Sequence, residues 1–184
     1  PQQAADLCQE LQSSYPIVLT RNFDTAKLWV KSHARGTERY GLLASSEGKR
    51  LRGAGIWVPT QIDHVNWFLK GKDHVDSSYY LEVAASEFKV QGLEVDYAIV
   101  AWDADFRYIN GDFDYFRFRG TRWNHTNIKQ RQQYQKNAYR VLLTRARQGL
   151  VIYIPEGSQE DQSRIPALYD GTYRYLLSCG IPEI

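Results

Sequence analysis

The chain has 184 residues, of which 43% are hydrophobic and 14% are aromatic, and its net charge at pH 7 is +2. This composition excludes a disordered polypeptide, and so small a charge does not by itself indicate a nucleic-acid-binding protein. No apolar stretch approaches the roughly 18 residues that a membrane-spanning helix needs. The two cysteines, Cys8 and Cys179, lack metal-ligand spacing and predict no disulfide framework. We therefore expect a globular cytoplasmic protein that does not contact a membrane.

The sequence begins with proline and contains no methionine, which suggests a piece of a longer protein. Its length suits one large domain, which we expect to span residues 1–184 with insertions near 56–78 and 104–126. In chain order, the predicted elements are a helix at 6–14, a strand at 16–20, a helix at 25–34 capped by Asn22 or Asp24, strands at 39–46, 78–86 and 95–103, a hairpin turning at Asn110 and Gly111, a helix at 128–148 ended by Gly149, a strand at 150–155 and a helix at 168–180.

Short apolar strands separated by helices predict a parallel sheet that is covered by helices on both faces. The predicted fold class is therefore α/β, a parallel sheet flanked by helices, with an inserted β-hairpin. Ligand sites in such sheets form beyond the carboxyl ends of the strands. We expect residues 85–103 and 138–155 to meet at such a place.

The first candidate site residue is Arg145, near the end of the long predicted helix. It follows Tyr134 by eleven positions, about three helical turns, which places it on the same stripe as Ala138 and Leu142. A permanent cation on an apolar stripe indicates an anionic partner. An arginine near a helix C-terminus is also favoured by the helix dipole alone, so the spacing leaves both interpretations open.

The second candidate is the turn that precedes the strand at 95–103. Gly92 permits a close backbone approach, so N–H groups beside it can meet a phosphate, while Glu94 can accept hydrogen bonds from hydroxyl groups. A solvated turn at the start of a strand explains an isolated Gly-x-Glu equally well. Neither candidate is specific when taken alone.

Basic residues form two further candidate surfaces. The segment 48–53, "GKRLRG", presents Lys49, Arg50 and Arg52 and is a candidate phosphate-binding loop, although a solvated loop has the same composition. The hairpin region mixes arginines with aromatic residues, which suits either base stacking with phosphate contacts or a hairpin whose aromatics pack inward. Its arginines are Arg107, Arg117, Arg119 and Arg122.

Taken together and in order, "SEFKVQGLEVD" (86–96) and "YRVLLTRARQG" (139–149) resemble the fifth and sixth motifs of superfamily 1 helicases. The closer resemblance is to the Schlafen group 3-like DNA/RNA helicase domain family of bacterial proteins, over residues 15–180. It implies the second RecA-like domain of a P-loop NTPase, an ATP-dependent DNA or RNA helicase or translocase. It also implies two partners, single-stranded DNA or RNA and an N-terminal RecA-like domain of the same protein.

The resemblance implies a role for each matching residue. Arg145 corresponds to the arginine that reaches the γ-phosphate of ATP held by the other domain. Gln91, Gly92 and Glu94 line the nucleotide side of the cleft, and Ser86 occupies a position that touches the nucleic-acid backbone. Lys89 would extend this nucleic-acid surface. The common histidine two places after the hydroxyl residue is replaced by Phe88 here, so the sequence departs from the family's pattern at that point.

The cofactors implied are ATP and Mg²⁺, held mainly by the preceding domain. The sequence has no G-x-x-x-x-G-K-[ST] loop, since Gly48 and Lys49 lack both the earlier glycine and the following hydroxyl residue. We therefore expect half an ATP site, and no ATP hydrolysis by this chain alone.

Two other functions fit parts of the sequence. Asp76 with Glu87 and Lys89 resembles the acid…E-x-K pattern of Mg²⁺-dependent nucleases, although that pattern leaves "LLTRAR" unexplained. A non-catalytic docking module for nucleic acid or protein is the third possibility. The four histidines are scattered and predict no metal site: His33, His64, His74 and His125.

Overall fold

The computed structural model describes residues 2–184, apart from the side chains of Gln2 and Ala4, so Pro1 lies outside it. The α-helices of this part are α1 (Gln2–Leu11), α2 (Phe23–His33), α3 (His64–Leu69), α4 (Lys129–Leu143) and α5 (Ala167–Ser178). The strands are β1 (Ile17–Thr20), β2 (Tyr40–Ala44), β3 (Val95–Ala101), β4 (Phe106–Ile109), β5 (Asp112–Arg119), β6 (Arg122–His125) and β7 (Ala146–Tyr153). Within these described residues, no helix has the length and apolarity needed to cross a membrane.

Four strands form a central sheet in the order β1-β7-β3-β2, and every neighbouring pair is parallel. Successive residues of each strand point to opposite faces, and both faces are buried. Helices α4 and α5 cover one face, where Leu142 and Tyr173 pack, and α2 covers the other through Ala26 and Val30. Burial on both sides explains why the strands are continuous apolar runs, and it confirms the predicted α/β class.

The predicted strand at 78–86 is wrong. Residues Ser78–Tyr80 form a 3₁₀-helix, and Leu81 then adopts a left-handed conformation with φ of 58°, which interrupts any extended strand. Beyond it the chain makes only isolated bridges within the described residues, one between Leu43 and Ala85. Trp67 of α3 holds this segment instead, since its Nε1–H donates to the Val83 carbonyl at 3.2 Å.

The long predicted helix is too long by five residues at its end. Helix α4 ends at Leu143, and β7 begins at Ala146, ahead of Gly149. The Val95 N–H donates to the Arg145 carbonyl at 3.0 Å, so pairing with β3 draws the chain into the sheet before the helix can continue. Arg145 therefore lies in the turn between α4 and β7, and its assignment to an apolar stripe of the helix is wrong.

Strands β4, β5 and β6 form a separate antiparallel sheet within the segment 104–126. Asn110 and Gly111 both have positive φ, 52° and 92°, which confirms the predicted hairpin turn. The third strand was not predicted. The small sheet packs on α5, where the Tyr108 N–H donates to Thr172 Oγ1 at 2.9 Å.

Candidate functional site

The two sequence motifs meet at the amino edge of the central sheet, the edge at which its strands begin. Val95 pairs with Ala146, so the turn at 91–94 and Arg145 lie side by side at the starts of β3 and β7. The prediction that both motifs lie at the carboxyl ends of strands is wrong, because each motif precedes its strand. That they belong together, as the sequence suggested, follows from the pairing of these two strands.

The Arg145 side chain is half-buried and only partly satisfied. Its Nη2 lies 3.3 Å from Thr144 Oγ1, and its Nε is buried without a hydrogen-bond partner. Among residues 2–184 no carboxylate forms an ion pair with it. A buried guanidinium nitrogen without an acceptor is costly, so this position is suited to an anionic ligand.

The neighbouring residues at this edge differ in whether they form contacts within the fold. Gln91, Gly92 and Glu94 are exposed, and Gly92 has a φ of 80° with open space where a side chain would project. Arg147, in contrast, donates from Nη2 to Asp96 Oδ1 at 2.8 Å. Burial raises the pKa of Asp96, but hydrogen bonds led by that from Arg147 outweigh this effect and lower the pKa overall. Arg147 therefore has a partner within the fold, which Arg145 lacks.

The opposite, carboxyl edge of the sheet is filled by two buried aspartates. Asp105 accepts hydrogen bonds from Tyr139 Oη at 2.5 Å, Ser45 Oγ at 2.8 Å and Gln135 Nε2 at 3.2 Å. Burial and the charge of Asp103 raise the pKa of Asp105 to about 7, against these hydrogen bonds. The donors come from α4 and from the loop after β2, so Asp105 links both to the end of β3.

Asp103 makes the matching connection to the other side of this edge. It accepts hydrogen bonds from the Arg50 N–H at 2.9 Å and from Tyr169 Oη of α5 at 3.1 Å. Burial raises its pKa as well. Part of the space beyond the carboxyl ends is thus occupied by the protein's own side chains.

The sequence matches the family described as Schlafen group 3, DNA/RNA helicase domain, over residues 1–156. The chain belongs to this family. A search of curated proteins gave no match. Membership identifies a helicase-like domain related to nucleic acids, and the matched region contains both the turn at 91–94 and Arg145.

In this Schlafen group 3 helicase domain, the residues predicted to contact nucleic acid lie near the carboxyl edge and differ in accessibility. Ser86 is only 4% exposed, and Lys89 is half-buried. Arg50 forms an ion pair with Asp161 at 2.7 Å. Lys49 and Arg52 lie in the 3₁₀-helix Lys49–Ala54 and are exposed. Two of the three basic residues of this segment are therefore free to meet a ligand as the domain stands.

A groove of about 910 Å³ connects the two edges of the sheet on the α4 face. Glu87, Phe88 and Gln91 line one wall, and α4 lines the other. Two aromatic side chains on these walls are strongly exposed, Phe88 at 71% and Tyr134 at 66%. The groove is also lined by Arg131, three residues before Tyr134, and by Arg140, three residues after Asn137. The i, i+3 spacing of these α4 residues was visible in the sequence but was not recognised as one polar face.

The four hairpin arginines differ in their burial and in their partners. Arg107 is buried and stacks 3.6 Å over the Phe116 ring, and Arg117 forms an ion pair with Glu47. Arg119 and Arg122 remain exposed. The aromatics pack mostly inward, as the structural interpretation predicts, and contact of the two exposed arginines with nucleic acid stays a prediction.

The residues of the nuclease-like pattern are engaged elsewhere. Both Glu87 carboxylate oxygens accept hydrogen bonds from Ser46, at 2.8 Å from the backbone N–H and 2.6 Å from Oγ. Asp76 lies near His74 instead. Across residues 2–184 there is no group of three or more His, Cys, Asp or Glu side chains that could hold a metal ion.

Proposed function

We propose that this domain is the second RecA-like domain of an ATP-dependent DNA or RNA helicase or translocase, and that Arg145 is its arginine finger. The observation that carries the proposal is the Arg145 side chain, half-buried beside the turn at 91–94 and without a carboxylate partner among the described residues. Membership in the Schlafen group 3 helicase family supports the same role.

The chemistry of phosphoryl transfer explains why such a residue is needed. Negative charge spreads over the γ-phosphate oxygens in the transition state, and a rigid guanidinium fork stabilises it. Arg145 acts on ATP held mainly by a preceding RecA-like domain, and the exposed Gln91, Gly92 and Glu94 face the nucleotide from this domain. Mg²⁺ is assigned together with ATP to the preceding domain, because this sequence lacks a G-x-x-x-x-G-K-[ST] loop.

A finger on a separate domain makes ATP hydrolysis conditional on closure of the two domains, which converts the state of the nucleotide into motion. The nucleic acid, single-stranded in this proposal, contacts the domain near Lys49, Arg52 and Lys89. Ser86, which is nearly buried, needs a local rearrangement to reach it.

The test is steady-state ATP hydrolysis by the full-length protein. We expect Arg145→Ala to reduce turnover by on the order of 100-fold or more, because transition-state charge loses its donor. Arg145→Lys keeps the charge but lacks the bidentate fork, so it should not restore activity.

Arg147→Ala is the matched control, since it removes an arginine two positions away that already binds Asp96. Thermal melts of all three variants exclude misfolding. Wild-type turnover by a folded Arg145→Ala protein would refute the proposal.

A further inference from the structure

The tip of the β5–β6 hairpin carries two like charges in direct opposition. Arg119 pairs with Arg122 across the turn at Gly120, and both side chains are exposed. Like charges that face each other across two strands destabilise the pairing. Within the described part of the chain, neither arginine has an ion-pair partner. The fold gains no stability from this pair of charges, so both guanidinium groups are available to an external anion.

The structure joins this tip to the basic 3₁₀-helix Lys49–Ala54, which the sequence presents as a separate feature. The Arg50 guanidinium lies 4.8 Å over the ring of Phe118, the residue before Arg119. On its other side, Arg50 binds Asp161 at 2.7 Å. This contact brings the 3₁₀-helix that carries Lys49 and Arg52 against the hairpin. We call the opposed pair Arg119 and Arg122 the hairpin-tip cluster.

Two acidic side chains that contact the hairpin or Arg50 are already engaged by arginines. Asp161 binds both Arg50 and Arg164, the latter at 3.1 Å, and hydrogen bonds led by that from Ser163 lower its pKa. Glu47 binds Arg117. The cluster consequently keeps its positive charge.

We propose that the hairpin-tip cluster binds the phosphate backbone of the nucleic acid. This inference rests on the proposed function and adds a contact from the inserted hairpin to its nucleic-acid surface. Guanidinium groups recognise phosphate oxygens through paired donors. The Phe118 ring is covered by Arg50, and it also packs edge-on against Trp123 with centroids 5.3 Å apart. These rings brace the tip and are not free to stack on bases, so the contact is independent of base sequence.

The experiment measures binding of labelled single strands, one oligothymidine and one of mixed sequence, to the full-length protein without nucleotide. We expect Arg119→Gln/Arg122→Gln to weaken both equally. For single strands, the logarithm of the binding constant falls with the logarithm of the salt concentration by about 0.7 per phosphate contact. The magnitude of this slope should therefore be smaller by about 1.4 in the double variant. Because no ATP is present, the result does not depend on whether Arg145 acts in hydrolysis.

The matched control is Lys31→Gln/Arg35→Gln, which removes the same charge at exposed positions near the end of α2. Wild-type affinity and slope in the hairpin variant, or an equal loss in the control, would overturn the proposal. So would tighter binding to phosphatidylserine vesicles than to nucleic acid, lost in the same variant. A melting temperature that is unchanged or raised in the hairpin variant is the expected consequence of removing the repulsion.

Discussion

The two edges of the central sheet handle charge in opposite ways. At the carboxyl edge, Asp103 and Asp105 are buried and hydrogen-bonded by residues from α4, α5 and the loop after β2. At the amino edge, Arg145 keeps a buried Nε without a partner beside an exposed turn. The first edge uses its polar groups to hold the fold together, whereas the second leaves a charge unmatched.

The usual placement of ligand sites in parallel sheets applies to this domain only in part. Ligands generally bind beyond the carboxyl ends of strands because the connecting loops leave a crevice there. In this domain Tyr139 and Tyr169 fill that crevice from two helices. The surfaces left for an anionic ligand are the amino edge, the exposed Lys49 and Arg52 beside the filled crevice, and the inserted hairpin.

The carboxyl edge is expected to respond strongly to the loss of one hydroxyl group. Tyr139→Phe removes the donor to Asp105 Oδ1, and the fully buried carboxyl group has no water to replace it. The free energy of unfolding should fall by about 1–3 kcal/mol. Chemical denaturation measures this change. Tyr134→Phe, at an exposed position of the same helix, should have no effect, and equal losses in both variants would contradict the proposed role of the network.

A smaller effect should appear in the pH dependence of stability. The pKa of Asp105 is raised to about 7 in the folded protein, chiefly by burial. Its carboxyl group stays protonated at pH values where the unfolded chain has already ionised. The stability that it contributes is therefore fully present below the ordinary aspartate pKa of about 4, and is lost as the pH rises through about 7.

Asp105→Asn removes this titration while keeping the shape of the side chain. Unfolding free energies of both proteins should be measured between about pH 5 and pH 8. We expect the wild type to lose stability relative to the variant as the pH rises, since the other titrating groups occur in both proteins. Parallel curves would mean that Asp105 is ionised throughout this range.

The sequence predicted those parts of the fold that local patterns control. Four continuous apolar runs predicted the parallel strands, and Asn110 with Gly111 predicted the hairpin turn, because only residues that tolerate positive φ fit there. The end of α4 depended on a contact with β3 from far along the chain, so helical spacing alone extended it too far. For the same reason, Arg145 was assigned to the wrong surface.

The candidate site was predicted in its residues but not in its position. Motif order linked Arg145 with the turn at 91–94, and strand pairing brings them together. The sequence did indicate the edge, because the turn at 91–94 and Arg145 both precede the strands predicted at 95–103 and 150–155, but the site was expected at the opposite edge. It could not reveal that Arg50 is engaged by Asp161, a residue more than a hundred positions away.

The smallest effect on stability is expected at Arg145, which can be compared directly with Arg147 at the same edge. Arg145→Met keeps the aliphatic packing but removes the buried Nε that lacks an acceptor. The free energy of unfolding should be unchanged or higher by about 1 kcal/mol, since a desolvated polar group is lost. Arg147→Met removes the donor to the largely buried Asp96 and should lower the melting temperature.

The sign of the two changes is what decides between a structural and a ligand-binding Arg145. Thermal melts of both variants under the same conditions provide it. An arginine that binds an external phosphate does not stabilise the fold while the phosphate is absent, so its removal should not lower the melting temperature. Removal of an arginine that stabilises the fold should lower it. If the melting temperature of Arg145→Met is below that of Arg147→Met, then Arg145 stabilises the turn between α4 and β7. That outcome would contradict the assignment of Arg145 to ATP.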